Sequence, residues 1–275
     1  MDKSAVEEKS INIKQTIENK VDNFIKAFDG SNIQTKRILY NCIGVIGNAG
    51  GVGVSSLVYE IANMYKQSGY SICVVDMDLV KTSQQIHYDN NKVKYSIKDF
   101  LNGDIEIKDI LFNGVIDYVN IKPYSIIELS QSDENMNDFE NAKLLLNKLK
   151  DLYDLVIIDF NYALLYFGIV QSMLIGCNNI VKVSSDSVSS IINGKIVKET
   201  IKQSTDANIV DILNMHQNTL SVEDKYEVVL PFEYDMARCE RYGESFYKTG
   251  KSKKGEFGDK LKELKQVIDK LLGID

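Results

Sequence analysis

Proline is nearly missing from this chain: two in 275 residues, and tryptophan is absent altogether. With so little proline, and 17 glycines, there is no Pro- or Gly-rich linker and no low-complexity segment. Histidine is almost as scarce. His87 and His216 stand far apart without ligand spacing, so they suggest no metal site. The four cysteines (Cys42, Cys73, Cys177, Cys239) contain no C-x-x-C pair, and Cys42 and Cys73 fall in apolar, strand-like runs. That pattern reads as buried reduced thiols of a cytosolic protein rather than a disulfide framework. The first residues are polar and lack the apolar stretch of a signal peptide. No uninterrupted apolar run reaches membrane-spanning length; the nearest, residues 162–180, is broken by Gln171 and Asn178. Positive charge is also in deficit. At a net charge of -7 and pI near 5.1, the surface as a whole is not built to hold nucleic acid or an anionic membrane.

What is present is a regular alternation. Residues 1–36 read as an N-terminal helical extension: Val6, Ile13, Ile17, Val21, Phe24, Ile25 and Phe28 recur at spacings near three and four, and Asp29-Gly30 supplies a stop. Over residues 37–275, apolar segments at 38–46, 71–77, 118–121, 155–160, 180–183, 209–213 and 227–230 predict strands. Helical patterns lie between or after them at 55–68, 96–101, 136–152, 188–203 and 256–272. Near-continuous apolar strands alternating with helices predict one α/β domain: a doubly wound, mostly parallel sheet covered on both faces. Ligands of such sheets bind at the carboxyl ends of the strands.

One such end carries a Gly-rich loop, Gly47-Asn48-Ala49-Gly50-Gly51-Val52-Gly53-Val54-Ser55-Ser56, between a strand and a helix. This is the context of a phosphate-binding P-loop, in which backbone N–H groups and the helix N-terminus surround phosphate oxygens. The usual loop places Lys before the hydroxyl residue; here Val54 stands there. Two further strand ends are acidic, with Asp76 and Asp78 closing one and Asp159 another. Carboxylates beside a phosphate loop suit Mg²⁺ and the orientation of a water.

These motifs carry a family resemblance. Ala49 to Ser56 is similar to the deviant Walker A loop of ParA/MinD-type ATPases, K-G-G-x-G-K-[ST]-[ST]. Val74-Val75-Asp76-Met77-Asp78 resembles their second strand, and Tyr153-Asp154-Leu155-Val156-Ile157-Ile158-Asp159 their Walker B strand. Residues 96–111 resemble the segment after the family's switch region. Leu213-Asn214 and Leu230-Pro231-Phe232 resemble the strand end and late loop beside the base. The order is kept over about residues 37–272. The resemblance implies a P-loop NTPase fold with an added N-terminal helix. It implies nucleotide contacts from Gly50, Gly51, Val52, Gly53, Val54, Ser55, Ser56, Asn214 and Pro231. Mg²⁺ would be held by Ser55 and Asp159, and Asp78 is the catalytic position.

The departures are at the charges. The family's signature Lys, which crosses a dimer to the partner's phosphates, is Ala49 here, and the Lys that grips the β- and γ-phosphates is Val54. Phe160-Asn161-Tyr162 replaces the Pro-Gly that follows the Walker B Asp. Phosphoryl transfer is catalysed mainly by positioning and charge. A charged hydrogen bond is worth about 1.5–3 kcal/mol, so losing two predicts weak or no hydrolysis and a degenerate Asp78. Binding of ATP or ADP with Mg²⁺ and an empty loop are equally open. Lys81 reads as solvent-facing.

The expected function is a non-hydrolysing positioning or assembly scaffold. Asp78-Leu79, the missing Pro-Gly and Phe257-Gly258-Asp259-Lys260-Leu261 resemble the TadZ/CpaE group, which places Tad (Flp) pilus machinery. That resemblance implies protein partners in a polar, secretion or pilus assembly, in the cytoplasm or at the inner membrane face of the cell pole. A homodimer is expected through the loop's apolar edge (Ala49, Val52, Val54). The alternatives are an active partitioning ATPase that binds DNA and a MinD-like membrane-cycling ATPase. The apolar stripe of the last helix (Phe257, Leu261, Leu264, Val267, Ile268, Leu271, Leu272) suits a sheet-covering helix better than a membrane-binding one. Arg238 and Arg241 read as surface ion pairs rather than phosphate contacts.

Overall fold

The computed structural model describes residues 38–88, 93–103, 105–133, 136–217, 226–242, 244–249 and 255–274. The expected N-terminal helix lies outside them.

Eight strands form one sheet among the described residues. They are β1 (Cys42–Gly47), β2 (Ile72–Met77), β3 (Leu111–Phe112), β4 (Asp117–Val119), β5 (Leu155–Phe160), β6 (Asn179–Ser184), β7 (Asn208–His216) and β8 (Val228–Pro231). The order is β3-β4-β2-β5-β1-β6-β7-β8; only β3 runs antiparallel, to β4. β1, β2, β5 and β6 are buried along their whole length, which is why their sequences are apolar without alternation. From β1 the chain moves to one side of the sheet and from β5 to the other. The loop after β1 therefore sits where the winding reverses, the usual place for a ligand in an open α/β sheet.

Nine α-helices cover the sheet among the described residues: α1 (Val54–Gln67), α2 (Ile97–Leu101), α3 (Ile107–Ile110), α4 (Ile126–Asp133), α5 (Met136–Leu152), α6 (Gly168–Ile175), α7 (Val188–Ser204), α8 (Tyr234–Arg241) and α9 (Glu256–Leu272). α1 and α9 pack one face through Leu57, Ile61, Leu261, Leu264 and Ile268. The other face is covered through Phe100, Leu145, Leu149, Val170 and Met173. The doubly wound α/β expectation therefore holds.

Boundaries and short elements differ from expectation. The first strand begins at Cys42, because the backbone N–H groups of Leu39 and Tyr40 donate to the Leu272 carbonyl at the end of α9. The pattern missed β3, α3, α4, α6 and α8, mostly pieces too short to show a period. α6 lies inside the apolar run 162–180 and is a core helix, with Ile169, Val170, Met173 and Leu174 buried. No helix of the described residues is long and apolar enough to cross a membrane. In α9, Phe257, Leu261, Leu264, Ile268 and Leu272 are buried, and Asp269 takes hydrogen bonds from Tyr65 Oη (2.7 Å) and Lys265 Nζ (2.8 Å). Its apolar stripe covers the sheet, as its width suggests. The four cysteines are buried and free.

After β2 the chain makes a 3-10 turn (Ser83–His87) that packs on α1. His87 stacks on Tyr59 with ring centroids 4.0 Å apart, and both its ring nitrogens are buried with no hydrogen-bond partner among the described residues. Burial holds its pKa down at about 4, from 6.5. A base depressed on folding contributes stability that is complete above its unfolded pKa and is lost as pH falls. Between pH 7 and 5 that loss is roughly 2 kcal/mol at ~1.4 kcal/mol per unit. His87→Phe keeps the stacking ring and removes the titration. Urea unfolding at both pH values should show the variant losing about that much less than wild type; equal losses would rule the mechanism out.

Candidate functional site

The Gly-rich loop takes its shape from local backbone chemistry. Gly51 and Gly53 adopt positive φ (75° and 84°), which glycine reaches without strain. Gly53 also has no room for a side chain: a Cβ there would fall 2.5 Å from Asn214 Nδ2. Asn48 anchors the start of the loop through its N–H to the Val183 carbonyl (3.1 Å) and its Nδ2 to Ser184 Oγ (2.8 Å). The first turn of α1 has no side-chain cap and no acidic residue, so its N–H groups are left for an anion.

A cleft of about 560 Å³ opens over this loop. Gly50, Gly51, Val52, Gly53, Val54, Ser55 and Ser56 line it together with Asp78 and Asp159, so most of the expected site residues come together. Asn214 and Pro231 do not line this cleft. They meet at a neighbouring cavity of about 30 Å³, with Met215 and Phe232. The Asn214 amide, moreover, donates to the Val52 carbonyl (2.9 Å), bracing the loop from behind.

The apolar loop residues are largely covered. Ala49 and Val52 are buried and Val54 is half-buried. A Cβ on Gly47 would fall 2.7 Å from Val52 Cγ2 and 2.8 Å from Val54 Cγ2, so both valines pack back against that glycine. All three residues also line the cleft, so the loop's apolar edge stays at the mouth of the site. Lys81 is exposed, as expected, but it also lines the cleft, and it is the only cation to do so among the described residues.

The carboxylates divide by role. Asp76 is fully buried and accepts from the backbone N–H groups of Asp78 and Gln84, both at 2.8 Å. It shapes the chain after β2. Asp78 faces the cleft but is held there: Oδ1 accepts from Asn161 Nδ2 (2.9 Å) and Oδ2 from Ser83 Oγ (2.9 Å). Asp159 is paired in register with Asp76 on the next strand. Burial pushes both acids up, and repulsion from Asp159 adds to the shift of Asp76. Asp159 accepts from Gln84 Nε2 (2.8 Å) and is also hydrogen-bonded by Ser55. The donors at this point are all oxygens, the Ser55 hydroxyl and the Asp78 and Asp159 carboxylates, a set that fits Mg²⁺.

Two residues here escaped the sequence reading. Asn161 lay in the stretch taken as remodelled, and it links the segments after β2 and β5. Gln84 had no signal, because an isolated Gln in a polar stretch resembles any surface residue.

A family model described as AAA domain matches residues 40–209. No curated protein matches the chain significantly. Among solved structures, the chain is similar to the septum site-determining protein MinD complexed with Mg-ADP from Pyrococcus horikoshii (TM-score 0.69, 16% identity, covering 85% of this chain and 98% of that one). It is also similar to a ParA family ATPase from Chlorobium tepidum (TM-score 0.66, 17% identity, 80% and 96% covered). A third is the MinC:MinD cell division protein complex of Aquifex aeolicus (TM-score 0.61, 19% identity, 74% and 87% covered). With this loop at the switch point of this sheet, and with the match over residues 40–209, the chain belongs to the AAA domain family and has the ParA/MinD P-loop ATPase fold.

Proposed function

We propose that this chain is a degenerate ParA/MinD-like P-loop protein that binds nucleotide weakly, hydrolyses it negligibly, and acts as a positioning or assembly scaffold. The observation that carries this reading is the state of the loop: the two positions that are cationic in the family are the uncharged Ala49 and Val54, while Asp78 is tied to Asn161 and Ser83. ATP or ADP would meet the loop amides, Lys81, and Mg²⁺ at Ser55 and Asp159. Mg²⁺ would supply the positive charge the loop lacks.

A protein partner is supported by surface chemistry. Large apolar side chains stay exposed at the strand carboxyl end: Tyr166 after β5, Val188, Ile191 and Ile192 in the first turns of α7, and Phe232 and Tyr234 after β8. Exposed apolar side chains near the cleft suit contact with a protein partner. The similar MinD is seen in complex with MinC; for this chain the finer reading is a TadZ/CpaE-like role in localising pilus machinery from the cytoplasmic side. A homodimer would cover these residues rather than the loop. Residues 1–36 are read as an appended helix. The buried stripe of α9 weighs against membrane cycling, and the net charge of -7 against DNA binding.

Isothermal titration with ATP and ADP, with and without Mg²⁺, tests the reading beside a phosphate-release assay. Mg²⁺-dependent binding with no turnover is expected. Turnover of about 1 s⁻¹ or more, the ordinary enzyme range, would overturn it.

A further inference from the structure

Gln84 is fully buried behind the cleft, against Ser55 and Asp159, which line it. Its Nε2 donates to the Asp159 carboxylate (2.8 Å) and to the Ser55 backbone carbonyl (2.9 Å), and its backbone N–H donates to Asp76 (2.8 Å). Its Oε1 is buried with no hydrogen-bond partner among the described residues. The amide thus presents both N–H dipoles to the oxygens of the two residues read as the cation position, Ser55 and Asp159. An NH₂ group offers two donors and no full charge, so it satisfies these oxygens without neutralising the carboxylate. The arrangement also carries a defect, because an unpaired buried carbonyl is unfavourable.

The neighbouring chain agrees with a set, displaceable pose. Thr82 has φ of 50°, an uncommon value outside glycine, and it precedes the 3-10 turn that carries Gln84. Ser83 is tied to Asp78, so the turn is also joined to the other carboxylate that lines the cleft.

We propose that Gln84 sets the cation requirement of the cleft: its amide occupies Asp159 in the cation-free protein and must swing away before a divalent cation can bind there. The inference rests on reading Ser55 and Asp159 as the cation position. It does not require that nucleotide bind.

The test uses Mn²⁺ alone, titrated into the full chain without nucleotide and followed by the electron paramagnetic resonance of the free ion. The proteins are wild type, Gln84→Ala, Gln84→Leu (which keeps the volume and offers no donor) and Gln84→Leu/Asp159→Asn. Circular dichroism checks that each is folded. Both single variants should bind Mn²⁺ at least tenfold more tightly than wild type, and the double variant should lose the gain. Equal Mn²⁺ affinity in wild type and a folded Gln84 variant would overturn the proposal, as would a gain that survives Asp159→Asn, or no Mn²⁺ binding by any of the four. An ATP titration in the same buffer separates the two readings. ATP binding with unchanged Mn²⁺ affinity sinks the Gln84 proposal alone. The Mn²⁺ gain without ATP binding sinks the nucleotide reading alone.

Discussion

Val54→Lys is expected to tighten ATP binding about tenfold to a hundredfold while leaving turnover near background. Position 54 opens α1 and lines the cleft, so a lysine there can reach an anion seated on the loop amides. A hydrogen bond to a charged group contributes about 1.5–3 kcal/mol, and each ~1.4 kcal/mol is a factor of ten in Kd. The loss of the valine contact with Gly47 is partly offset by the methylene stem of lysine, which can lie along the same apolar surface. Turnover should stay low because Asp78 remains held by Asn161 and Ser83, 2.9 Å from each. Adding Asn161→Ala should then raise phosphate release, since it frees one oxygen of Asp78. Calorimetry and a phosphate assay on the single and double variants check both steps. Unchanged ATP affinity in a folded Val54→Lys protein would mean that the loop does not receive phosphates. Full turnover in the single variant would mean that the tether on Asp78 is irrelevant.

Asp211→Ala should cost about 3–5 kcal/mol of stability. Lys182 sits in β6, buried at every position, and its Nζ lies 2.6 Å from Asp211 Oδ1 on the adjacent strand β7. Lys198 of α7 pairs with the other oxygen at 2.5 Å but is partly exposed. Removing Asp211 leaves Lys198 able to turn to water and Lys182 stranded under the sheet edge of the loop, where an uncompensated charge is expensive. Lys182→Met combined with Asp211→Leu should recover most of the loss, because a buried ion pair is often replaced by apolar residues at no net cost. Urea unfolding of the single and double variants measures both. A loss under about 1 kcal/mol for Asp211→Ala would place this pair with ordinary surface ion pairs. Lys182 also reaches Ser184 (3.3 Å), the residue that holds Asn48 at the start of the loop. The charge pair is therefore built into the support of the cleft.

Lys182 also shows where sequence reading stops. Its strand was predicted from the apolar residues around it, correctly, but nothing in the local pattern tells a buried, paired lysine from one on an edge. The partner, Asp211, lies 29 positions away and meets it only through strand register. Short elements escaped for a related reason. β3 has two residues and α3 four, too few to show a period, and they exist because β4 and α2 give them something to pack on.

By itself the sequence determined the alternating α/β plan, the Gly-rich loop at a strand end, the acidic strand ends and the absence of both loop lysines. All of these depend on residues next to one another in the chain, whose spacing records backbone geometry and burial. The tertiary structure alone decided that Val52 and Val54 pack against Gly47. It also decided that Asn214 braces the loop, that Asn161 holds Asp78 and that Gln84 occupies Asp159. Each of these is a contact made by the fold across distant segments, and local periodicity carries no information about which side chains a crossover brings face to face.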